Sequence, residues 1–249
     1  MTISAEDWDK YIKRLSRIQR KAAEEMRAQI EKVGYEDVRA LVDFAYGLTS
    51  YYGEMSAALS AEMYDAIALL EEAYTAPAEM AATASYGEVA KAVYGTAKHR
   101  NGELMAGAVE RMVKMASADT MVTNAIRDRK EMAWIPRGDT CAFCIMLASR
   151  GWERASDKAL SGGHAEHIHA HCDCTFAVRS GRSLEYAGYD PDKYLDMYYD
   201  ADGMTWQERV NSMRRDAYAA NRKKILAQKK AAREISQELE SSEAEEIKA

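Results

Sequence analysis

The sequence predicts a mainly α-helical protein: a long-helix N-terminal module, a small α+β module, and a charged C-terminal helix. Three observations carry that expectation. Only three of the 249 residues are proline, while the good helix formers Ala, Glu, Met, Lys and Arg abound. Through the N-terminal half, apolar residues recur at steps of three and four, the spacing of a helix face. All four cysteines then fall within the 34 residues from Cys141 to Cys174, and four of the five histidines lie in the same stretch.

Taken in order, Ser4-Ala-Glu-Asp7 reads as a capping box that opens the first helix. Trp8, Ile12, Leu15, Gln19, Ala22, Met26, Gln29 and Val33 form its mostly apolar seam, and Gly34 suits the position just past its end. A second long helix is expected from Glu36 to about Tyr74. Leu41, Phe44, Leu48, Tyr52, Met55, Leu59, Met63, Ile67 and Leu70 form its apolar face, and Tyr51, Tyr52 and Tyr64 are assigned to the core. Gly47 and Gly53 weaken that helix or permit a kink or close packing. Pro77 marks the break that follows.

Shorter helices are expected over 79–99, 103–115 and 117–130, with Asn101-Gly102 as a turn between the first two. Trp134-Ile-Pro136-Arg-Gly138 reads as a loop with an extended approach to the first cysteine pair. Residues 141–150 turn helical, 156–167 are polar loop, and Cys174-Thr-Phe-Ala-Val178 has the residues of a short strand. Tyrosines at 186, 189, 194, 198 and 199 have the mixed character of interface residues. From Trp206 one helix runs towards the end, basic through Arg233 and acidic after it, an order that opposes the helix macrodipole. The chain thus divides into a helical module at 1–130, a compact module at 131–185 and a Tyr/Asp-rich linker with a charged helical tail at 186–249.

Composition narrows the function classes. A net charge of −6 argues against bulk electrostatic binding to nucleic acid. No run of apolar residues is long enough to span a membrane, so no membrane partner is expected. The N-terminus lacks a basic-then-apolar signal, so the thiols are expected to stay in a reducing cytoplasm.

Cys141-Ala-Phe-Cys144 is a C-x-x-C pair, and His169-Ala-His171-Cys172-Asp-Cys174 follows downstream. Thiolate and imidazole are the donors Zn²⁺ prefers, and two ligands three apart on a tight turn can share one tetrahedral ion. The expected centre therefore takes Cys141 and Cys144 together with two of His169, Cys172 and Cys174. A closed shell of this kind is structural, leaving no position for water or substrate. Metal in such a site contributes about 10–16 kcal/mol of apparent binding energy to folding, enough to pin a loop-rich α+β module. No catalytic residue is assigned.

Two other chemistries are weighed. His164-Ala-Glu166 is an H-x-E pair as in zinc deaminases, but the C-x-x-C here precedes it and lacks the proline. The histidine-rich loop, with His164, His167, His169 and His171, can also hold a catalytic metal, which gives a metal-dependent nuclease or hydrolase as the alternative function. In the basic tail, Arg222, Lys223, Lys224, Lys229 and Lys230 are the candidate nucleic-acid contacts. Phosphate contact, a protein interface or oligomer contact, and a plain solvated helix stand level there.

The run Asn124-Ala-Ile-Arg-Asp128, Ala133-Trp-Ile-Pro136, Asp139-Thr-Cys141-Ala-Phe-Cys144 and His169-Ala-His171-Cys172-Asp-Cys174 resembles the Mu F-like minor head (minor capsid) proteins of tailed phages, in particular those of Actinobacteria. Tyr52-Gly53 and Glu62-Met-Tyr64-Asp65 are similar to the N-terminal half of that family. The resemblance covers about 35–180, with 139–174 as its specific part. It departs from the family at Ala170, where many relatives have proline, and at Asp173, where they have Arg or His. It implies a structural virion component inside the capsid near the portal vertex, present in the host cytoplasm during assembly. It also implies a role in head morphogenesis and opens one in genome delivery. The implied partners are the portal protein, the scaffold or major capsid protein, and packaged DNA. No added enzymatic activity is implied.

Overall fold

The structure, a computed structural model of the chain, describes residues 1–73, 75–137, 140–156, 174–181, 184–223 and 226. It is mainly helical. In chain order it contains β1 (Thr2–Ile3), α1 (Ala5–Val33), α2 (Val38–Leu70), α3 (Tyr86–Ala97), α4 (Gly102–Arg127), β2 (Glu131–Ile135), α5 (Ala142–Ala148), β3 (Glu153–Arg154), β4 (Thr175–Arg179), β5 (Glu185–Tyr186) and α6 (Pro191–Tyr199). A further helix, α7, covers 206–223.

Both ends of α1 lie where the sequence places them. Ser4 is the N-cap, its hydroxyl accepting from the Asp7 amide at 3.0 Å, and Asp7 Oδ2 accepts from the same hydroxyl at 2.7 Å. Gly34 has φ 68°, a left-handed conformation that favours glycine, and its amide donates to the Ile30 carbonyl. The buried stripe runs Trp8, Ile12, Leu15, Gln19, Ala22, Met26, Ile30, so the seam ends on Ile30 while Val33 faces solvent.

α2 carries small residues on its packed face. Ser56, Ala57, Ser60 and Ala61 are buried, whereas Met55 and Leu70 are exposed. That explains close approach to α4: a Cβ on Gly53 would sit 2.8 Å from Thr83 Cγ2 and 3.7 Å from Ala116 Cβ. The glycine permits packing here. Tyr52 and Tyr64 are core residues as expected, but Tyr51 is 62% exposed, because it falls on the face opposite the bundle.

Two expected helices change extent. The helix expected over 79–99 begins only at Tyr86. Side chains of α4 take the backbone groups of the preceding segment: the Glu79 amide donates to Asn124 Oδ1, Asn124 Nδ2 donates to the Glu79 carbonyl, and the Ala81 amide donates to Thr120 Oγ1. Ser85 and Glu88 then form a reciprocal capping box that fixes the start of α3. The two helices expected over 103–115 and 117–130 are one, α4. Ala116, Ser117 and Ala118 are buried packing residues within it and do not break it.

Trp134 and Ile135, expected in a loop, belong to strand β2. It is the centre of a three-stranded antiparallel sheet in the order β3-β2-β4, with Trp134 opposite Phe176 and Met132 opposite Val178. The Trp134 and Phe176 rings meet edge to face at 4.7 Å, a cross-strand pair that helps fix the register. The N-terminal β1 runs parallel to β5. Tyr186 of β5 is not an interface residue: it is 5% exposed, its ring stands edge-on to Trp8 at 4.9 Å, and its hydroxyl donates to the Val178 carbonyl.

The core has two parts. One joins the second half of α1, the first halves of α2 and α4, and α3, around Met26, Leu41, Val89 and Met105. The other joins the start of α1, the ends of α2 and α4, the strands and α5, around Ile12, Tyr64, Met121, Phe176 and Leu184. This second core draws residues from both sides of position 130.

Candidate metal centre

The C-x-x-C pair occupies the start of α5. Cys141 is the N-cap, with extended backbone (φ −71°, ψ 156°), and its Sγ accepts from the Cys144 amide at 3.4 Å. Helix formation after Cys141 follows from the apolar run Ala142-Phe-Cys-Ile-Met-Leu-Ala148, every member of which is buried. Cys141 is half-buried and Cys144 fully buried against the second core. This N–H···S bond from the second cysteine's amide to the first cysteine's sulfur closes the turn that starts the helix.

Cys174 stands just before β4 and is 1% exposed. It lines a small internal cavity with Ile12, Leu15 and Gln19 of α1 and Lys114 of α4, so it faces the helical bundle. Among the described residues, no group of three or more His, Cys, Asp or Glu side chains is placed to hold a metal ion. Cys141, Cys144 and Cys174 are thus not gathered as one ligand set. His169 and Cys172, like His164, His167 and His171, lie outside the described residues. A pair of cysteines three apart suits two of the four positions of a tetrahedral zinc shell.

Of the tail candidates, Arg222 and Lys223 are exposed on α7, and Lys224, Lys229 and Lys230 lie outside the described residues. Arg209, also in the basic stretch, is committed structurally. Its Nη1 donates to the carbonyls of Tyr198, Tyr199 and Ala201 at 2.9–3.2 Å, which caps the end of α6.

Sequence reasoning missed a polar network behind the sheet. Lys130 Nζ lies 3.1 Å from Glu71 Oε2, with both side chains at most 3% exposed. The Glu71 carboxylate also accepts from the Ser180 amide at 2.5 Å and the Ser180 hydroxyl at 2.7 Å. The Lys130 ammonium sits 4.8 Å from the centre of the Tyr64 ring. Tyr64 in turn donates to Asp128 Oδ2 at 2.7 Å. Burial and that hydrogen bond push the Tyr64 phenol well above its ordinary range. The Arg127 guanidinium beside Asp128 holds that carboxyl below the usual carboxylate range, against the effect of burial. Glu71 and Lys130 are 59 positions apart, so no local pattern announces the pair.

A helical bundle that shares a core with a small sheet, with a cysteine knuckle at the start of a short helix, defines a class of helical protein with an appended sheet module. Over residues 2–201, most of its length, the chain matches the model of the VG15 protein family, so it belongs to that family of viral (phage) gene proteins. No curated protein and no solved structure matches the chain.

Proposed function

We propose that this protein is a non-enzymatic structural component of a tailed-phage head. In this reading it is a minor head protein of the capsid interior near the portal vertex, which acts in head morphogenesis. Its centre is a structural zinc held by Cys141, Cys144, His169 and Cys172. One observation carries the reading: in a chain of a phage protein family, the C-x-x-C pair opens a helix embedded in the core that joins the first helix to the sheet. A metal there supplies a cross-link between that core and the stretch bearing His169 and Cys172. The burial of Cys174 against α1 and α4 favours Cys172 as the fourth ligand.

Exposed side chains around α6 and α7 suit assembly contacts. Tyr199, Met204, Trp206 and Tyr218 around α6 and α7 are 49–94% exposed. Aromatic and methionine side chains at the surface favour protein partners, here the portal, scaffold or major capsid protein. Exposed Arg214, Arg215, Arg222 and Lys223 on the same helix also suit packaged DNA. The test is cross-linking mass spectrometry on heads assembled with this chain. The reading expects cross-links from Lys223 and the residues after it to the portal or another head protein. Recovery of the chain only outside assembled heads would refute it.

A further inference from the structure

A groove of about 560 Å³ runs between α3 and α4, lined by Glu88, Lys91, Met112, Met115 and Asp119 together with the segment around Thr83. Its walls are fixed by features already described. Gly53 lets Thr83 approach the bundle, Asn124 and Thr120 hold the chain just before it, and the Ser85–Glu88 capping box sets the start of α3. It is therefore preformed.

Within it, Asp119 is partly buried, and no described residue gives it a hydrogen bond or ion pair. Glu88, the nearest like charge, has its own carboxylate engaged by the Ser85 amide and hydroxyl at 2.8 and 2.7 Å. The other charged groups lining the groove are Lys91 of α3 and Arg111 of α4. Burial first, and the Glu88 charge second, push the Asp119 carboxyl up to about 6. A half-buried carboxylate with no cation in ion-pair contact is costly, and the groove leaves room for one to arrive from outside.

We infer that this groove receives a lysine or arginine side chain of a partner polypeptide, its cationic head against Asp119 and Glu88 and its aliphatic stem along Met112 and Met115. Methionine adapts to such a stem, and long basic side chains lay their methylenes on apolar surface while the head stays polar. Asp119 offers a single carboxylate outside any ion pair, which matches a side chain with one cationic end.

The test uses the full chain with isotope-labelled methionine methyls, titrated with N-acetyl-arginine methylamide. The neutral citrulline analogue serves as control and spermidine as the competing arm. Saturable shifts of the Met112 and Met115 methyls are expected with the arginine probe, at least tenfold weaker in Asp119→Asn and retained in Asp119→Glu. Affinity should fall about tenfold from pH 7.5 to pH 5, where a carboxyl titrating near 6 is about one-tenth ionised. Equal shifts with citrulline, undiminished binding in Asp119→Asn, absence of any shift, or tighter binding of spermidine would each overturn the inference.

Discussion

Replacing Lys130 by methionine keeps the length of the side chain and removes only its charge and hydrogen bond. In the native fold the Lys130 ammonium is 3.1 Å from the Glu71 carboxylate, with 1% and 3% of the two side chains exposed. Methionine there leaves a buried carboxylate whose remaining donors are the Ser180 amide and hydroxyl. Breaking a buried pair from one side typically costs about 3–5 kcal/mol. For a chain of this size that corresponds to a fall in Tm of roughly 6–20 °C. Adding Glu71→Gln should recover a large part of the loss, because the amide oxygen still accepts from Ser180 and no charge stays buried. The assay is denaturant unfolding of the wild type, both single variants and the double variant, with the midpoint read at constant slope. The expected coupling is about 1.5–3 kcal/mol. A single-variant loss below about 1 kcal/mol, or strictly additive changes, would refute the claim that the two buried charges depend on each other for stability.

Two glycines of α2 should respond in opposite directions. Gly47→Ala meets nothing within 4 Å and should raise stability by about 0.5–1 kcal/mol, whereas Gly53→Ala drives a methyl against Thr83 and Ala116 and should lower it by about 1–3 kcal/mol in thermal or chemical melts. Asp119 has a folded-state pKa of about 6, above its unfolded value near 3.8, so the fold binds the proton more tightly. Its contribution is present below the unfolded value and is lost as pH rises towards 6, and Asp119→Asn should flatten that fall in a pH series of melts. Asp128 has the opposite sign. Its depressed pKa gives stability that is present above the unfolded value and lost as pH falls through the folded one, and Asp128→Asn should remove that acid-side loss.

Much of the helical frame is written locally. Ser4 and Gly34 mark the ends of α1 because capping chemistry depends on residues within four positions of each other. The strand after Cys174 is likewise legible from Thr175, Phe176 and Val178. What was not legible depends on distant partners. The segment 79–85 has helix-forming composition, yet Asn124 and Thr120 capture its backbone from some 40 positions away. β2 is a strand because β4 pairs with it from about 40 to 48 positions away. Ala116 and Ser117 read as a break in α4 only when the neighbour that needs small side chains is unseen. In the candidate centre the C-x-x-C pair could be placed from sequence alone. The burial of Cys174 could not, since it depends on where Ile12, Gln19 and Lys114 fall.

The most direct test of a scaffold zinc is elemental analysis of the purified, fully reduced chain, repeated on Cys141→Ser, Cys172→Ser, Cys174→Ser and His164→Ala. One zinc per chain is expected in the wild type, retained in Cys174→Ser and His164→Ala and lost from Cys141→Ser and Cys172→Ser, with a drop in thermal stability on each loss. A metal-free wild-type chain that melts at the same temperature as Cys141→Ser would contradict the account.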